Sequence, residues 1–258
     1  MSGLSAICNT SGHQAQEGAW TETALVLVCK RPALGIGKQR LAVSVGQEAA
    51  ELIAEQLLAC AVEDVLGWPG PVVVAPADLR DYTWASGLLP HKRPLARIQP
   101  QSDGNLGQRL SALDRALRNA GLKQLVYIGS DAPLLAEDDY VAAREGLLNH
   151  DCVLKPAADG GVVLMASSQP WPTLDRLPWS TAALGSALVS SCRSAGRSVM
   201  TLPQGFDVDE KKDVLRLMDA LEADNRQARR SLHRLVCELF RSNSEEREKE
   251  DEESNAGL

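Results

Sequence analysis

The stretch Ala24-Leu25-Val26-Leu27-Val28-Cys29, running straight into Lys30-Arg31-Pro32-Ala33-Leu34-Gly35-Ile36-Gly37-Lys38-Gln39-Arg40, decides the fold class. Six apolar residues without alternation describe a short strand buried on both faces, as strands of parallel sheets are. The pattern then recurs. Gln47 to Leu66 keeps Ala50, Ile53, Leu57 and Ala61 at helical spacing, and Pro71 to Ala75 is a second buried strand. Asp78 to Leu88 reads as a helix, Leu95 to Gln99 as a third strand, and Leu106 to Ala120 as a helix with Leu110, Leu113 and Leu117 on one stripe. Leu125 to Ile128 is the fourth strand, ending at Gly129-Ser130-Asp131, and Glu137 to Leu148 the next helix. Strands alternating with helices predict βαβ units: an α/β fold with a mostly parallel central sheet flanked by helices.

Beyond Leu148 the pattern changes. Val153 to Pro156 and Val162 to Met165 flank Asp159-Gly160-Gly161, a tight-turn signal between short strands. Ser180 to Ala195 reads as a helix, Val199 to Leu202 as a strand and Lys212 to Leu221 as a helix. Leu232, Leu235, Val236 and Leu239 then form an amphipathic stripe beside Arg226, Arg229, Arg230 and Arg234. The expected organisation is a polar leader (1–22), one nucleotide-binding domain (23–223), an amphipathic helix (224–241) and a disordered acidic tail (242–258).

Composition bounds the setting. With 44% apolar and 24% charged residues in 258, the chain is globular and large enough to need no disulfide staples. Its six cysteines (Cys8, Cys29, Cys60, Cys152, Cys192, Cys237) form no C-x-x-C pair, and His13, His91, His150 and His233 have no ligand spacing. Zinc and dithiol chemistry are therefore not expected, and a reducing, cytoplasmic compartment is. No apolar run approaches the ~18 residues of a membrane span, and Met1 to Trp20 lacks the pattern of a signal peptide. The net charge is −7, of which −5 falls in Ser244 to Leu258. A body carrying only −2 offers no basic footprint for nucleic acid.

In parallel sheets ligands bind beyond the carboxyl ends of the strands. The unusual loops fall there. Lys30 to Arg40 offers Gly35, Gly37 and the cations Lys30, Arg31, Lys38 and Arg40. It is not a Walker A loop, because Pro32 and Gln39 stand where that motif needs Gly and Ser or Thr. Flexible glycines with Lys and Arg nevertheless suit a polyphosphate. Asp131, a lone carboxylate at the end of a buried strand, is costly unless it meets a cation or donor, which suggests Mg²⁺. The alternative is that Ser130 or Asp131 caps a helix. Asp207 and Asp209 share one side of an extended segment and can reach one metal; alternatively Asp209 caps the following helix. Trp171 and Trp179, flanking Pro172 and Pro178, read as packing or as cover for a ligand.

Together the segments KRPALGIGKQRL, GNLGQRL, GSDAPLL, VLKPAADGGVVLMA, LPWST and DVDEKKDVLRL resemble, in order, the radical-SAM/selenodomain-associated transferase 1 family (DUF2064-type). That family is placed in the nucleotide-diphospho-sugar transferase (GT-A) superfamily. The resemblance spans Ala24 to Leu221 and implies a single Rossmann-like GT-A domain. The first loop is also similar to that of 2-phospho-lactate guanylyltransferase and the molybdenum-cofactor guanylyltransferases. By this likeness Lys30, Lys38 and Arg40 hold phosphates, and Gln101, Gly104 and Gly107 line the base pocket. Asp131 binds the metal with Asp209 or Asp207, and Asp159, Gly160 and Gly161 border the acceptor side. The chain departs from the family pattern at Gln39 (usually Thr or Ser), at Val162 and Val163 (commonly an aromatic) and at Glu210-Lys211 (usually Thr-Pro).

The expected function is a nucleotide-using transferase dependent on Mg²⁺ or Mn²⁺, with Lys38, Arg40 and Asp131 at the reacting centre. Transfer of a nucleoside monophosphate from an NTP to a small phosphorylated acceptor is placed ahead of glycosyl transfer from an NDP-sugar, because four cations suit a triphosphate. A rival of another class is a retired nucleotide-binding scaffold acting through the arginine-rich helix, which also leaves homodimerisation open.

Overall fold

The computed structural model describes residues 22–90 and 95–256, with side chains to Arg241. The leader apart from Glu22, with Cys8, His13 and His91, lies outside them. A 7-stranded sheet has the order β3-β2-β1-β4-β6-β5-β7. Its strands are β1 (Thr23–Cys29), β2 (Val72–Pro76), β3 (Ala96–Ile98), β4 (Gln124–Ile128), β5 (Cys152–Pro156), β6 (Val162–Ser167) and β7 (Val199–Thr201). β1 lies between β2 and β4, both parallel to it, with Leu25 opposite Val72 and Val126. β3 continues the parallel ladder. Only β6 runs against its neighbours, β4 on one side and β5 on the other. The Asp159 turn causes this reversal. Gly160 takes φ 90°, a left-handed conformation that glycine adopts without strain, and the Gly161 N–H donates to Asp159 Oδ1 at 2.8 Å.

The helices are α1 (Gln39–Val45), α2 (Gln47–Gly67), α3 (Tyr82–Gly87), α4 (Leu106–Asn119), α5 (Glu137–Gly146), α6 (Leu184–Ser194), α7 (Lys211–Leu221) and α8 (Gln227–Ala256). Alternation along β1 sends Leu25, Leu27 and Cys29 to one face, where they pack with Leu58 and Val65 of α2 and Ala143 of α5. Ala24 and Val26 go to the other face, against Leu110, Leu113 and Leu117 of α4 and Leu188 of α6. The unbroken apolar run thus serves two cores. A third core lies off the sheet, where Leu41, Ile53 and Leu57 meet Leu217 and Leu221 of α7 and Leu232 and Val236 of α8. The C-terminal amphipathic stripe therefore packs on its own chain. The acidic stretch from Ser244, expected as a tail, falls within the bounds of α8, and its side chains are outside the described residues.

Three expectations change. The helix expected over Asp78 to Leu88 is a 3₁₀ turn (Leu79–Asp81), with Asp78 accepting from the Arg80 N–H, and then α3. The helix expected from Ser180 starts at Leu184, because Ser180 is left-handed (φ 61°) and Thr181 Oγ1 turns back to the Pro178 carbonyl. Finally, α1 follows the basic loop immediately, its seven residues too few to show a period in the sequence. Among the described residues no helix is long and apolar enough to cross a membrane.

Candidate functional site

A cavity of about 470 Å³ opens at the carboxyl edge of the sheet. Its walls are the loop after β1 (Lys30, Arg31, Gly37, Lys38), Gln101 after β3, the Gly129–Ala132 loop after β4, Val162 and Val163 of β6, and Asp207 and Asp209 after β7. Loops far apart in sequence converge because each leaves the same edge of a parallel sheet.

The basic loop is held from within. Gln39 Nε2 donates to the carbonyls of Gly35 (2.8 Å) and Gly37 (3.1 Å), while the Ile36 N–H reaches the Ala33 carbonyl. The residue that departs from the family pattern is thus the brace of the loop. Gly35, Gly37 and Lys38 all have positive φ (74°, 72° and 45°), and the last is unusual for a side chain with a Cβ. This turn aims Lys38 inward. Its ammonium sits 2.8 Å from Asp131 Oδ1 and 3.2 Å from Asp209 Oδ1 and donates to the Val208 carbonyl, with the side chain only 7% exposed. Burial pulls the ammonium pKa down, but Asp131 and Asp209 outweigh that and hold it above the usual lysine range. Arg40 stays on the rim, 60% exposed, reaching Asp209 (3.7 Å) and Glu210 (3.6 Å).

Carboxylates gather around this cation. One oxygen each from Asp159, Asp207 and Asp209 lies within 4.8 Å of the others. Partial burial, with Asp159 and Asp209 close by, pushes the Asp207 carboxyl up to about 6. Of the three acids expected at a metal, Asp207 and Asp209 fall together; Asp131 joins them through Lys38, and Asp159 supplies a carboxylate assigned in advance to the acceptor side. Neither capping alternative holds. No helix begins at Ser130 or Asp131, and Asp213 supplies the cap of α7, accepting from the N–H groups of Asp209 (3.1 Å) and Glu210 (2.8 Å).

Gln101 is buried in the cavity wall. Its Nε2 donates to the Ala75 carbonyl at 2.6 Å, leaving Oε1 buried without a hydrogen-bond partner among the described residues. Arg109 on α4, which lines the same cavity, likewise has a buried Nε without one. Gly104 and Gly107 do not line the cavity. A Cβ at Gly104 would meet Gln108 Oε1 at 2.5 Å, and one at Gly107 the Leu174 carbonyl oxygen at 2.3 Å and Trp179 Nε1 at 2.5 Å. They serve close packing at the start of α4 and bring Trp179, hydrogen-bonded to Leu174, to the cavity rim. Gly160 is pressed on the Ala182 backbone, where a Cβ would lie 2.1 Å from its carbonyl oxygen. Lys30 lines the cavity from an exposed position; Gly35 lies outside it.

Sequence reading overlooked Arg109 and Arg229. Arg109 adjoins Leu110 of the apolar stripe, so its place at the cavity depends on how far α4 is rotated against the sheet. Arg229, expected only as one of four arginines beside the C-terminal stripe, is fully buried.

The family model described as "Uncharacterized protein conserved in bacteria (DUF2064)" matches residues 58–181. Over that stretch the chain is similar to the DUF2064 family. Among solved structures, a "putative nucleotide-diphospho-sugar transferase" from Desulfovibrio desulfuricans G20 superposes with a TM-score of 0.75 at 23% identity, covering 86% of this chain and 98% of that one. The chain shares its fold, a mostly parallel α/β sheet flanked by helices. Rv0371c from Mycobacterium tuberculosis H37Rv (17% identity, 78% and 99% coverage, TM-score 0.48) is more distant. So is a cytidylyltransferase from Leptospira borgpetersenii serovar Hardjo-bovis (11%, 87% and 96%, 0.47), and neither adds to the fold assignment. No curated protein matches the chain.

Proposed function

We propose that this protein is a metal-dependent transferase that moves a nucleoside monophosphate from an NTP to a small phosphorylated acceptor. One observation carries the reading: the Lys38 ammonium is seated between Asp131 and Asp209, so two carboxylates from separate loops already share a cation beside a cavity of nucleotide size. The all-oxygen donor set fits a hard divalent ion, Mg²⁺ or Mn²⁺. Asp207 and Asp209 would hold it, close to Asp159, with Asp131 facing Asp209 across the Lys38 ammonium. When bound, such an ion neutralises charge on phosphate oxygens.

The protein's own groups do the rest. Lys30, Lys38 and Arg40 bind and orient the phosphates, with Gly37 letting the backbone approach. Preplaced cations of this kind stabilise the charge that builds on phosphate oxygens as the bond breaks. Gln101 Oε1 and Arg109 Nε, buried and unpaired, offer an acceptor and a donor to the edge of a base. Beyond Gly160 and Val162 a second cavity of about 600 Å³, with Arg193 in its wall, suits a phosphorylated acceptor.

Glycosyl transfer from an NDP-sugar is the second reading, favoured by the description of the Desulfovibrio relative. Calorimetry with NMP, NDP, NTP and NDP-sugars in Mg²⁺ tests both. The leading reading expects affinity to rise from NMP to NTP and the metal dependence to weaken sharply in Asp131→Asn. An NDP-sugar binding tighter than any NTP would transfer the case to glycosyl transfer. No metal-dependent binding of any nucleotide would leave the retired scaffold.

A further inference from the structure

Two arginines of the C-terminal region reach the loop that follows Asp131. Arg229 is 0% exposed, and its Nε donates to the Pro133 carbonyl at 3.0 Å. Its other nitrogens engage α2: the Cys60 carbonyl (2.6 Å), Glu63 (3.0 Å) and Asp64 (2.6 Å). Asp64 is fixed in turn by the Tyr140 hydroxyl of α5 at 2.8 Å. Arg226, just before α8, donates to the Leu135 carbonyl at 2.7 Å while paired with Asp224. Pro133 and Leu135 lie two and four residues beyond Asp131, whose own carbonyl accepts from the Val208 N–H at 2.9 Å. The Asp131 segment is thus pinned by its backbone from both sides.

A buried guanidinium is an expensive way to attach a helix, because apolar side chains of similar volume commonly serve as well. What they cannot do is hold the Pro133 loop carbonyl in place, as Arg226 does for Leu135. We propose that Arg229, assisted by Arg226, is a positioning residue for Asp131, so that the C-terminal helix, outside the family-matched residues 58–181, sets the geometry of the cation site. The inference rests on the reading of Asp131 as a metal ligand.

A double-mutant cycle on Mn²⁺ affinity, read by electron paramagnetic resonance with the full chain and Mn²⁺ alone, tests it. Arg226→Gln, at a residue whose side chain is 33% exposed, should weaken Mn²⁺ binding about three- to tenfold in the wild-type background and leave it unchanged in Asp131→Asn. Arg226→Lys should restore part of the loss. Arg229→Lys, which keeps the charge but loses the fork, should act in the same direction; if it does not fold, the Arg226 cycle decides alone. An unchanged affinity in Arg226→Gln, or an equal loss in both backgrounds, overturns the positioning role and leaves the site reading intact. An unchanged affinity in Asp131→Asn by itself overturns the site reading, and the positioning role with it.

Discussion

Replacing Lys38 with methionine keeps most of the side chain's volume and removes its charge, and its consequences point in opposite directions for two ligands. The ammonium lies 2.8 Å from Asp131 and 3.2 Å from Asp209. At an effective dielectric of about 20, a pair of unit charges ~3 Å apart attracts by roughly 5 kcal/mol before desolvation is counted. Desolvation of the lysine and water access to the carboxylates, 50% and 36% exposed, reduce this to about 1.5–3 kcal/mol, the worth of one charge-assisted hydrogen bond. That attraction holds the ammonium where the proposed divalent cation would bind. Lys38→Met should therefore tighten binding of Mn²⁺ alone by about tenfold or more, since 1.4 kcal/mol is a factor of ten. The same change removes a phosphate partner and should weaken metal-free NTP binding by about ten- to a hundredfold, with a smaller loss for NMP. Calorimetry of the two ligands measured separately distinguishes this from general damage to the site, which would weaken both. Mn²⁺ affinity that stays constant or falls would refute the view that Lys38 occupies the cation's position. Unchanged NTP affinity would refute its role at the phosphates.

Other outcomes follow from particular contacts. The Asp207 carboxyl titrates near 6 in the folded protein and lower when unfolded, so the fold favours its protonated form. That contribution is complete at pH below the unfolded value and is lost as pH rises through about 6. Relative to Asp207→Asn, the wild type should therefore lose about 1–2 kcal/mol between pH 4 and pH 7.5, a figure discounted for a half-exposed group and checked by urea unfolding at both values. Gly160→Ala puts a Cβ 2.1 Å from the Ala182 carbonyl oxygen at a positive φ and should cost about 2 kcal/mol or more, lowering the thermal midpoint. Leu232→Ala, at a fully buried position where α8 meets α2 and α7, should cost about 2–5 kcal/mol. Removing 242–258, beyond the last apolar positions of the stripe, should shift the midpoint by no more than about 2 °C in a thermal scan.

The local pattern of the chain determined a great deal. The apolar run of β1, the alternation with helices and the Asp159-Gly160-Gly161 turn specified an α/β sheet with one reversed hairpin, because burial on two faces and tight turns each leave a local signature. The edge where the cavity opens was legible too, since parallel strands present their outgoing loops together. Short-range pattern carried no information on pairings across 48 to 171 residues. Only the tertiary structure decided that Lys38 meets Asp131 and Asp209 rather than solvent, and that Asp159 turns toward Asp207. The arginine-rich C-terminal helix makes the same point. Its stripe of Leu232 and Val236 told which face is buried, but a full turn of arginines surrounds that stripe. Which arginine enters the core is set by the carboxylates of α2 and the open carbonyls after Asp131, groups that come within reach of Arg229 only once the helix has docked.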